Sequence, residues 1–536
     1  MLHLFFVRGP RVVWGDEPFY LWLGHNLVTG RGYQFVGFND VHHPPLFPLL
    51  AGLLYLAVGS LEQASNVVYV VLGSLLVLPM AGIGRRMYGP WAGLFVGLLT
   101  ALWPVFNAAV PWWGTMTEPP FFFFVALGLW AAVEVASADT AAGRPSPATH
   151  AVGSRRWLVL WWLAGLAFGL AYLTRPEGIW YVATVGLALL AVAWLTRQPL
   201  RHWLSGALLY ALGFALCFGP YAVYTRVHTG AWMVSQKVGI TFQDSLALAR
   251  NDLAEHDRIL WQLDSTGERV FFFSEESFHL SMLDAIRAKP RRYAGLVYLN
   301  VRSLLGRFFT VQGFLPALLP LLGLGLFGLA WDRRRLRGEA VLLAGLLPPL
   351  TFLLFFIFER YVAPLLLPLL IWTGLGAALL CRWARETAAN LLPRLGRRSL
   401  AVATALPALA LVAILAIAHP ETLRAVRATQ AFRAEHRAAG EWLAANAPAD
   451  AVVMARYPAI AFHANRYWLP SPNSDYAAAL RYAAANGADY WVMDGNERAW
   501  RPQLAFLFED RPPPELELVY RVPTAGQPVL VYRVLP

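Results

Sequence analysis

Apolar residues run through this chain in blocks separated by short polar breaks. A helix rises 1.5 Å per residue, so about 20 apolar residues cross a hydrocarbon core of about 30 Å. Ten runs approach that length, near 64–83, 90–110, 119–136, 157–174, 179–195, 203–224, 313–331, 340–357, 364–381 and 399–418. A further run, 44–60 (PPLFPLLAGLLYLAVGS), is shorter and interrupted by Pro48, Gly52 and Gly59. It is predicted to be an interfacial or re-entrant helix. The segment 137–154 is rich in Ala, Ser, Thr, Gly and Pro and reads as a flexible linker. From 419 the pattern changes. An amphipathic helix over 421–446 precedes short buried strands at 451–456 (AVVMAR) and 489–494 (DYWVMD). A helix at 475–487, ending in Gly487, lies between those strands, and ELELVYRV with VLVYRVLP predicts a closing antiparallel pair.

The predicted fold is therefore an all-α polytopic membrane bundle of about ten spans plus outer interfacial helices, with a small C-terminal extracytoplasmic α/β domain. Residues 1–63 read as an outer loop with interfacial helices, 64–418 as the bundle with an outer loop at 225–312, and 419–536 as the α/β domain.

Composition narrows the class. Of 536 residues, 57% are hydrophobic and 14% charged, against about 45–50% and about 25% in soluble domains. Mean hydropathy is +0.46. A soluble enzyme, a disordered chain and a disulfide scaffold are excluded. The net charge of +11 does not point to nucleic acid, because the excess sits in short loops between apolar runs. These loops hold Arg85-Arg86, Arg144 with Arg155-Arg156, Arg197 with Arg201, DRRRLR at 332–337, and the Arg382–Arg398 stretch. Alternating the ten runs puts all five loops on one side, which the positive-inside rule assigns to the cytoplasm of a bacterial inner membrane. The segment before 64, residues 111–118, 175–178, 225–312, 358–363 and the tail then lie outside. Residues 1–7 are too short to span, so the chain reads as one span short at its start. Cys217 and Cys381 lie inside apolar runs and offer neither a disulfide framework nor metal-ligand spacing.

The outer segments carry the candidate chemistry. Asp16 and Glu17, in WGDEPFYLWLGHNLVTGRG, precede a helical pattern; they suit helix capping, proton abstraction or cation binding. His42 and His43 stand before the diproline of NDVHHPPLFPL, as interfacial polar residues, phosphate donors or metal ligands; adjacent histidines do not share a helix face, which disfavours a His-His metal pair. Glu118, in WWGTMTEPPFFFF, sits at the mouth of a span, either as a favourable helix-start acid or as a carboxylate facing the same cavity as Asp16. Arg175 and Glu177, in LTRPEG, cost about 2.5–3.5 kcal/mol each in lipid by insertion scales, so they face a cavity or each other. Glu359, Arg360 and Tyr361, in FERYVAP, place an arginine against the positive-inside bias, which favours phosphate binding. Lys237 is a second outer cation, or an exposed loop charge.

The order GDEPFY, HHPPLFPL, TEPPFF, TRPEG, ERYVAP, then an outer α/β tail, resembles the GT-C superfamily of integral-membrane glycosyltransferases. It is most similar to bacterial relatives of protein O-mannosyltransferases and of the lipid A aminoarabinose transferase. The resemblance covers most of residues 14–420, and the acidic pair with HPPL is its most specific part. It implies an inverting transferase with a polyprenyl-phosphate sugar as donor and membrane lipid around it; the acceptor, a protein, lipid or glycan hydroxyl, is left open. It implies Asp16 as general base with Glu17 assisting, and His43, Arg360 and Tyr361 near the donor phosphate. Arg175 and Glu177 match a family signature to which the resemblance assigns no role; as candidates from the residues themselves, Arg175 and Lys237 are added to the phosphate-binding group, with Glu118, Glu177 and His42 as supporting residues. The chain departs from the family in lacking a span before the acidic pair, in having glutamate at 118 where aspartate is frequent, and in lacking DxD in the first outer loop. No metal ligand is assigned, and a divalent ion is left open as a cofactor. The competing readings are a transporter or flippase of a lipid-linked or anionic substrate, and a non-catalytic assembly protein whose outer domain binds a partner.

Overall fold

The structure is a computed structural model and describes residues 2–7, 12–35, 37–138, 151–391, 397–431, 434–509, 512–523 and 528–536. Among these residues nine helices are long and apolar enough to cross a membrane: Leu61–Tyr88, Pro90–Val110, Glu118–Ala136, Arg155–Thr174, Gly178–Leu195, Leu200–Thr229, Arg333–Leu354, Glu359–Asn390 and Ala405–Ala428. They fall on nine of the ten expected runs. Most of the expected 137–154 linker, with Arg144, lies outside the described residues, as do 392–396 of the Arg382–Arg398 stretch.

The tenth run is corrected. Within 313–331 the apolar helix is only Pro316–Phe327. Pro316 and Pro320 hold its first turns, and the chain leaves the helix at Gly328. Arg307 nevertheless meets Glu359 at 3.3 Å, so the stretch that starts before this helix and the one that ends after Arg333–Leu354 return to the same end of the bundle. The short helix and its flanks therefore cover the distance that the longer helix covers alone. It lies close on the Glu359–Asn390 helix because Gly325 and Gly376 bring the two backbones together where a Cβ would collide with a carbonyl.

The run 44–60 forms Leu46–Val58, 13 residues, too short to cross and packed between the Glu17–Val28 and Leu61–Leu75 helices. Gly24 and Gly52 make that packing: a Cβ on either would strike the facing backbone.

The bundle has two distinct ends. At one, Arg86 donates to the Ser137 carbonyl at 2.8 Å and pairs with Glu134 at 3.0 Å, and Tyr88 donates to Glu339 at 2.5 Å. Three of the basic turns thus meet there. The other end gathers the acidic, histidine and FERYVAP segments together with the 225–312 loop and the tail.

The tail is a five-stranded sheet in the order Tyr467–Pro470, Val452–Ala455, Tyr490–Asp494, Val529–Val534, Leu516–Arg521. The first three strands are parallel and the last two join antiparallel. The expected strands and closing pair are present. The edge strand Tyr467–Pro470 and the Pro458–Ala464 helix before it are additional; a four-residue strand ending in proline carries little period-2 signal. The expected helical stretch over 421–446 is helical on both sides of residues 432–433, which lie outside the described residues: the last span continues within Arg397–Ala431, and Ala434–Asn446 is a helix. The domain shares one apolar core with Phe19, Tyr33 and Phe35 of the first outer segment and Trp261 and Val270 of the outer loop.

Candidate active site

A cavity of about 640 Å³ opens at this second end. Asp16, Tyr20, His42, Glu118, Arg175, Glu177, Lys237, Arg360 and Tyr361 gather on its walls, and Ile179, Trp180, Ala183, Val238, Leu354 and Phe355 make the apolar remainder. Eight of the ten candidate residues from the sequence share this space. Glu17 and His43 are the two that do not line it.

Asp16 stands at the start of the Glu17–Val28 helix but makes no side-chain cap hydrogen bond. The capping reading is therefore set aside. Its carboxylate is 40% exposed, and the Lys237 ammonium lies 3.7 Å away. Burial raises the Asp16 pKa, but Lys237 first, then Arg360 and His43, outweigh it and hold the carboxyl below its ordinary value. Lys237 is the reciprocal case: burial lowers it, and Asp16 foremost brings it above its usual value. Glu17, one residue on, is fully buried and turned elsewhere. It accepts from the Thr115 N–H at 2.9 Å, from the Thr115 hydroxyl and from the Trp14 N–H at 3.3 Å. It ties the helix start to the Gly114–Thr117 turn, where Gly114 adopts φ +86° within reach of the carboxylate.

Arg175 organises the inner wall. It donates to Glu118 at 2.5 Å and to Glu177 at 3.0 Å. Burial lowers its pKa, and Glu177 and Glu118 more than reverse this, so it stays charged. The second oxygen of each glutamate, Oε2, is buried with no hydrogen-bond partner among the described residues. Arg360 Nε lies 4.0 Å from Glu118. One Nη of Arg360 donates to Met116 Sδ at 2.8 Å and the other to the Tyr361 hydroxyl at 2.9 Å. Thioether sulfur is a weak acceptor, so this guanidinium holds a donor that an anion would claim. The Tyr361 ring stacks on Phe352 at 4.7 Å and carries both guanidiniums on its faces, Arg175 at 5.0 Å and Arg360 at 4.9 Å.

The histidine pair divides its labour in the reverse of the expected sense. His43 turns its Nδ1 to Asp40, 3.0 Å away, and sits behind the wall. His42 lines the cavity, stacked on Phe272 at 4.9 Å, with Nε2 buried and lacking a hydrogen-bond partner. Burial lowers its pKa to about 4, so it is neutral at pH 7. Asp40 was not singled out from the sequence. It accepts from the N–H groups of His42 and His43 at 3.1 and 2.8 Å and so shapes the turn. Burial pushes its carboxyl up, but the His43 pairing wins and brings it to about 2. The available signal was an Asp two and three residues before the donors it satisfies. Tyr20 and Met116 were also missed; both sit beside recognised motifs.

No family model matches the sequence, and no curated protein matches it. Solved structures do match along nearly the whole length. The ArnT of Cupriavidus metallidurans, in the apo state, aligns over 99% of this chain and 96% of its own, with TM-score 0.54 and 16% identity. The same protein bound to undecaprenyl phosphate gives TM-score 0.53 and 15% identity over 98% and 94%. The oligosaccharyltransferase of Archaeoglobus fulgidus, in complex with Zn and sulfate, gives TM-score 0.55 and 13% identity over 98% of this chain and 70% of that one.

This chain shares the fold of these solved structures. It is an integral membrane protein with a small sheet domain at its C-terminus. Similarity at this identity establishes architecture; the chemistry rests on the residues above. Among the described residues no three His, Cys, Asp or Glu side chains come together as metal ligands. The carboxylates of the cavity are met by cationic side chains instead: Asp16 by Lys237, and Glu118 and Glu177 by Arg175.

Proposed function

We propose that this protein is a membrane glycosyltransferase that moves a sugar from a polyprenyl-phosphate donor to an acceptor hydroxyl on the outer face of the bacterial cytoplasmic membrane. One observation carries this reading: a single cavity joins an ionised carboxylate, a set of phosphate-competent cations and an apolar wall. Asp16 takes the acceptor proton as the hydroxyl attacks the anomeric carbon, with inversion. Asp16 is held ionised, the state a base requires. The leaving group is already an anionic lipid phosphate, so it needs charge stabilisation more than protonation. Arg360 supplies this with the Nη now spent on Met116, and Lys237 and Arg175 add their charge. Trp180, Ile179 and Leu354 give the first isoprene units a dry surface. His42, neutral, and the side chains of Glu118 and Glu177 line the part of the cavity where the sugar hydroxyls would bind.

The basic loops meeting at the opposite end of the bundle support this localisation. The test is transfer from polyprenyl-phosphate sugars in nanodiscs. Transfer that fails after Asp16→Asn, with the protein folded, supports the reading. Full activity of that variant removes Asp16 as the base.

A further inference from the structure

The Pro290–Phe308 helix of the outer loop has an unusual face. Leu296, Asn300 and Phe308 are buried, and Tyr293 stacks on Phe242 at 4.6 Å. Asn300 donates to the carbonyls of Leu353 and Phe355 at 3.0 and 2.9 Å, which fixes the helix to a wall of the cavity. The opposite face is apolar and uncovered. Tyr298 is 68% exposed, Val301 40%, Leu305 62% and Phe309 40%. The spacing of these residues, three or four apart, makes them one stripe. Arg291, Arg292 and Arg302 are exposed on the same helix, Lys289 and Arg307 stand near its two ends, and no acidic residue occurs between Asp284 and Asp332. Among the described residues Arg307 is the one of the five that meets a carboxylate within ion-pair distance, Glu359 at 3.3 Å. This cluster lies at the end opposite the arginine-rich turns, where the positive-inside bias predicts few cations.

We infer that the Pro290–Phe308 helix is a docking surface for anionic phospholipid, lying in the leaflet interface with Tyr298, Val301 and Leu305 in the acyl boundary and Arg291, Arg292 and Arg302 on headgroup phosphates. An apolar stripe on a helix that also exposes cations is the pattern of an interfacial helix. Water leaves the stripe costly, and a second protein would need acids to match the cations; a leaflet with anionic headgroups satisfies both requirements. Because Asn300 ties the helix to the cavity wall, the leaflet also sets the height of that wall beside the site. The assignment to the outer leaflet rests on the orientation proposed above; the contact with lipid does not depend on transfer activity.

The test uses the full chain in nanodiscs of phosphatidylcholine with and without phosphatidylglycerol. Cys217 and Cys381 are buried, so a nitroxide can be placed selectively at Val301→Cys or Leu305→Cys. Collision with oxygen exceeding collision with an aqueous nickel chelate is the expected result. Dominant nickel collision, or shielding from both reagents by a protein partner, overturns the proposal. Phosphatidylglycerol retained by the purified protein is then counted. R291E/R292E/R302E is expected to lower its enrichment over phosphatidylcholine on the order of tenfold, while R291K/R292K/R302K keeps it. Unchanged enrichment in the reversed variant overturns the headgroup contact. Both readouts stand even where sugar transfer is absent, which separates this inference from the proposed function.

Discussion

Two regions of this molecule bury arginines against carboxylates, and they close their bonds differently. At the C-terminal domain, Asp257 of the 225–312 loop accepts from Arg456 at 2.5 Å, Arg501 at 2.7 Å and Asn473 at 2.9 Å. Arg501 also donates to Glu497 at 3.0 Å, to the Ser471 hydroxyl at 3.0 Å and to the Ser471 carbonyl at 3.0 Å. Arg456 lies 3.9 Å over the Trp261 ring. Every charged atom of the Asp257–Arg501–Glu497 group has a partner. In the cavity wall, among the described residues, Glu118 and Glu177 each keep a buried oxygen without a hydrogen-bond partner, His42 keeps Nε2, and Arg360 settles for a sulfur. A closed network holds two pieces of chain together. An open one is poised for a ligand, because an unpaired buried polar atom costs about 1–3 kcal/mol that binding can return.

Substitutions can break this contrast. The largest effect is expected at Asp16→Asn, a fall in transfer rate of about 10²–10⁴ with an unchanged melting temperature; a rate within a factor of two of the parent would contradict the role of an open site. Arg501→Ala should do the opposite. It strands Asp257 and Glu497, so about 3–5 kcal/mol of stability is expected to go, read as a lower unfolding temperature in detergent, while the folded fraction keeps its turnover. Glu17→Gln separates neighbours in one motif. Loss of its charged bonds to Thr115 and Trp14 should cost about 1–3 kcal/mol with little change in kcat, and a collapse of kcat matching Asp16→Asn would show that both carboxylates serve the chemistry.

Acid sharpens the comparison further. Burial raises the Asp257 carboxyl, but Arg456 and Arg501 bring it down to about 2. A depressed folded pKa means stability that is present above the unfolded value near 4 and lost as pH falls through 2. About 2 kcal/mol should disappear over that window. Glu497, pushed up to about 7 by burial, acts in the reverse sense and loses its contribution as pH rises from about 4.5 through 7; Glu497→Gln removes that arm, and a titration that stays flat below pH 4 would rule out the Asp257 term. The smallest expected effect is at His42→Ala, a two- to tenfold rise in KM for the donor, the size of one hydrogen bond; no change would mean that Nε2 meets nothing in the complex.

Much of the architecture was legible because hydrophobic periodicity is local. Nine of the ten runs are long helices, and the tail's principal strands lie where alternation and Gly487 put them. The 313–331 run misled because composition alone does not register what Pro316, Pro320 and the Gly325–Trp372 approach do to a helix. At the site, motifs were legible and directions were not. Asp16 and Glu17 are adjacent, as are His42 and His43, and nothing in either dipeptide says which member meets the cavity.

The sequence by itself determined that this is a membrane bundle with an appended α/β domain, and which short segments gather polar residues between apolar runs. Only the tertiary structure decided that Asp16 faces Lys237 while Glu17 serves Thr115, that His42 lines the cavity while His43 leans on Asp40, and that Arg175 binds a glutamate 57 positions away. The physical reason is geometric. Asp16 precedes the first turn of the Glu17–Val28 helix and His42-His43 lie in the bend before Leu46–Val58, and in a turn or at a helix start successive side chains leave the backbone in different directions, so neighbours in a motif face different surroundings. Those surroundings are supplied by parts of the chain that only folding brings near.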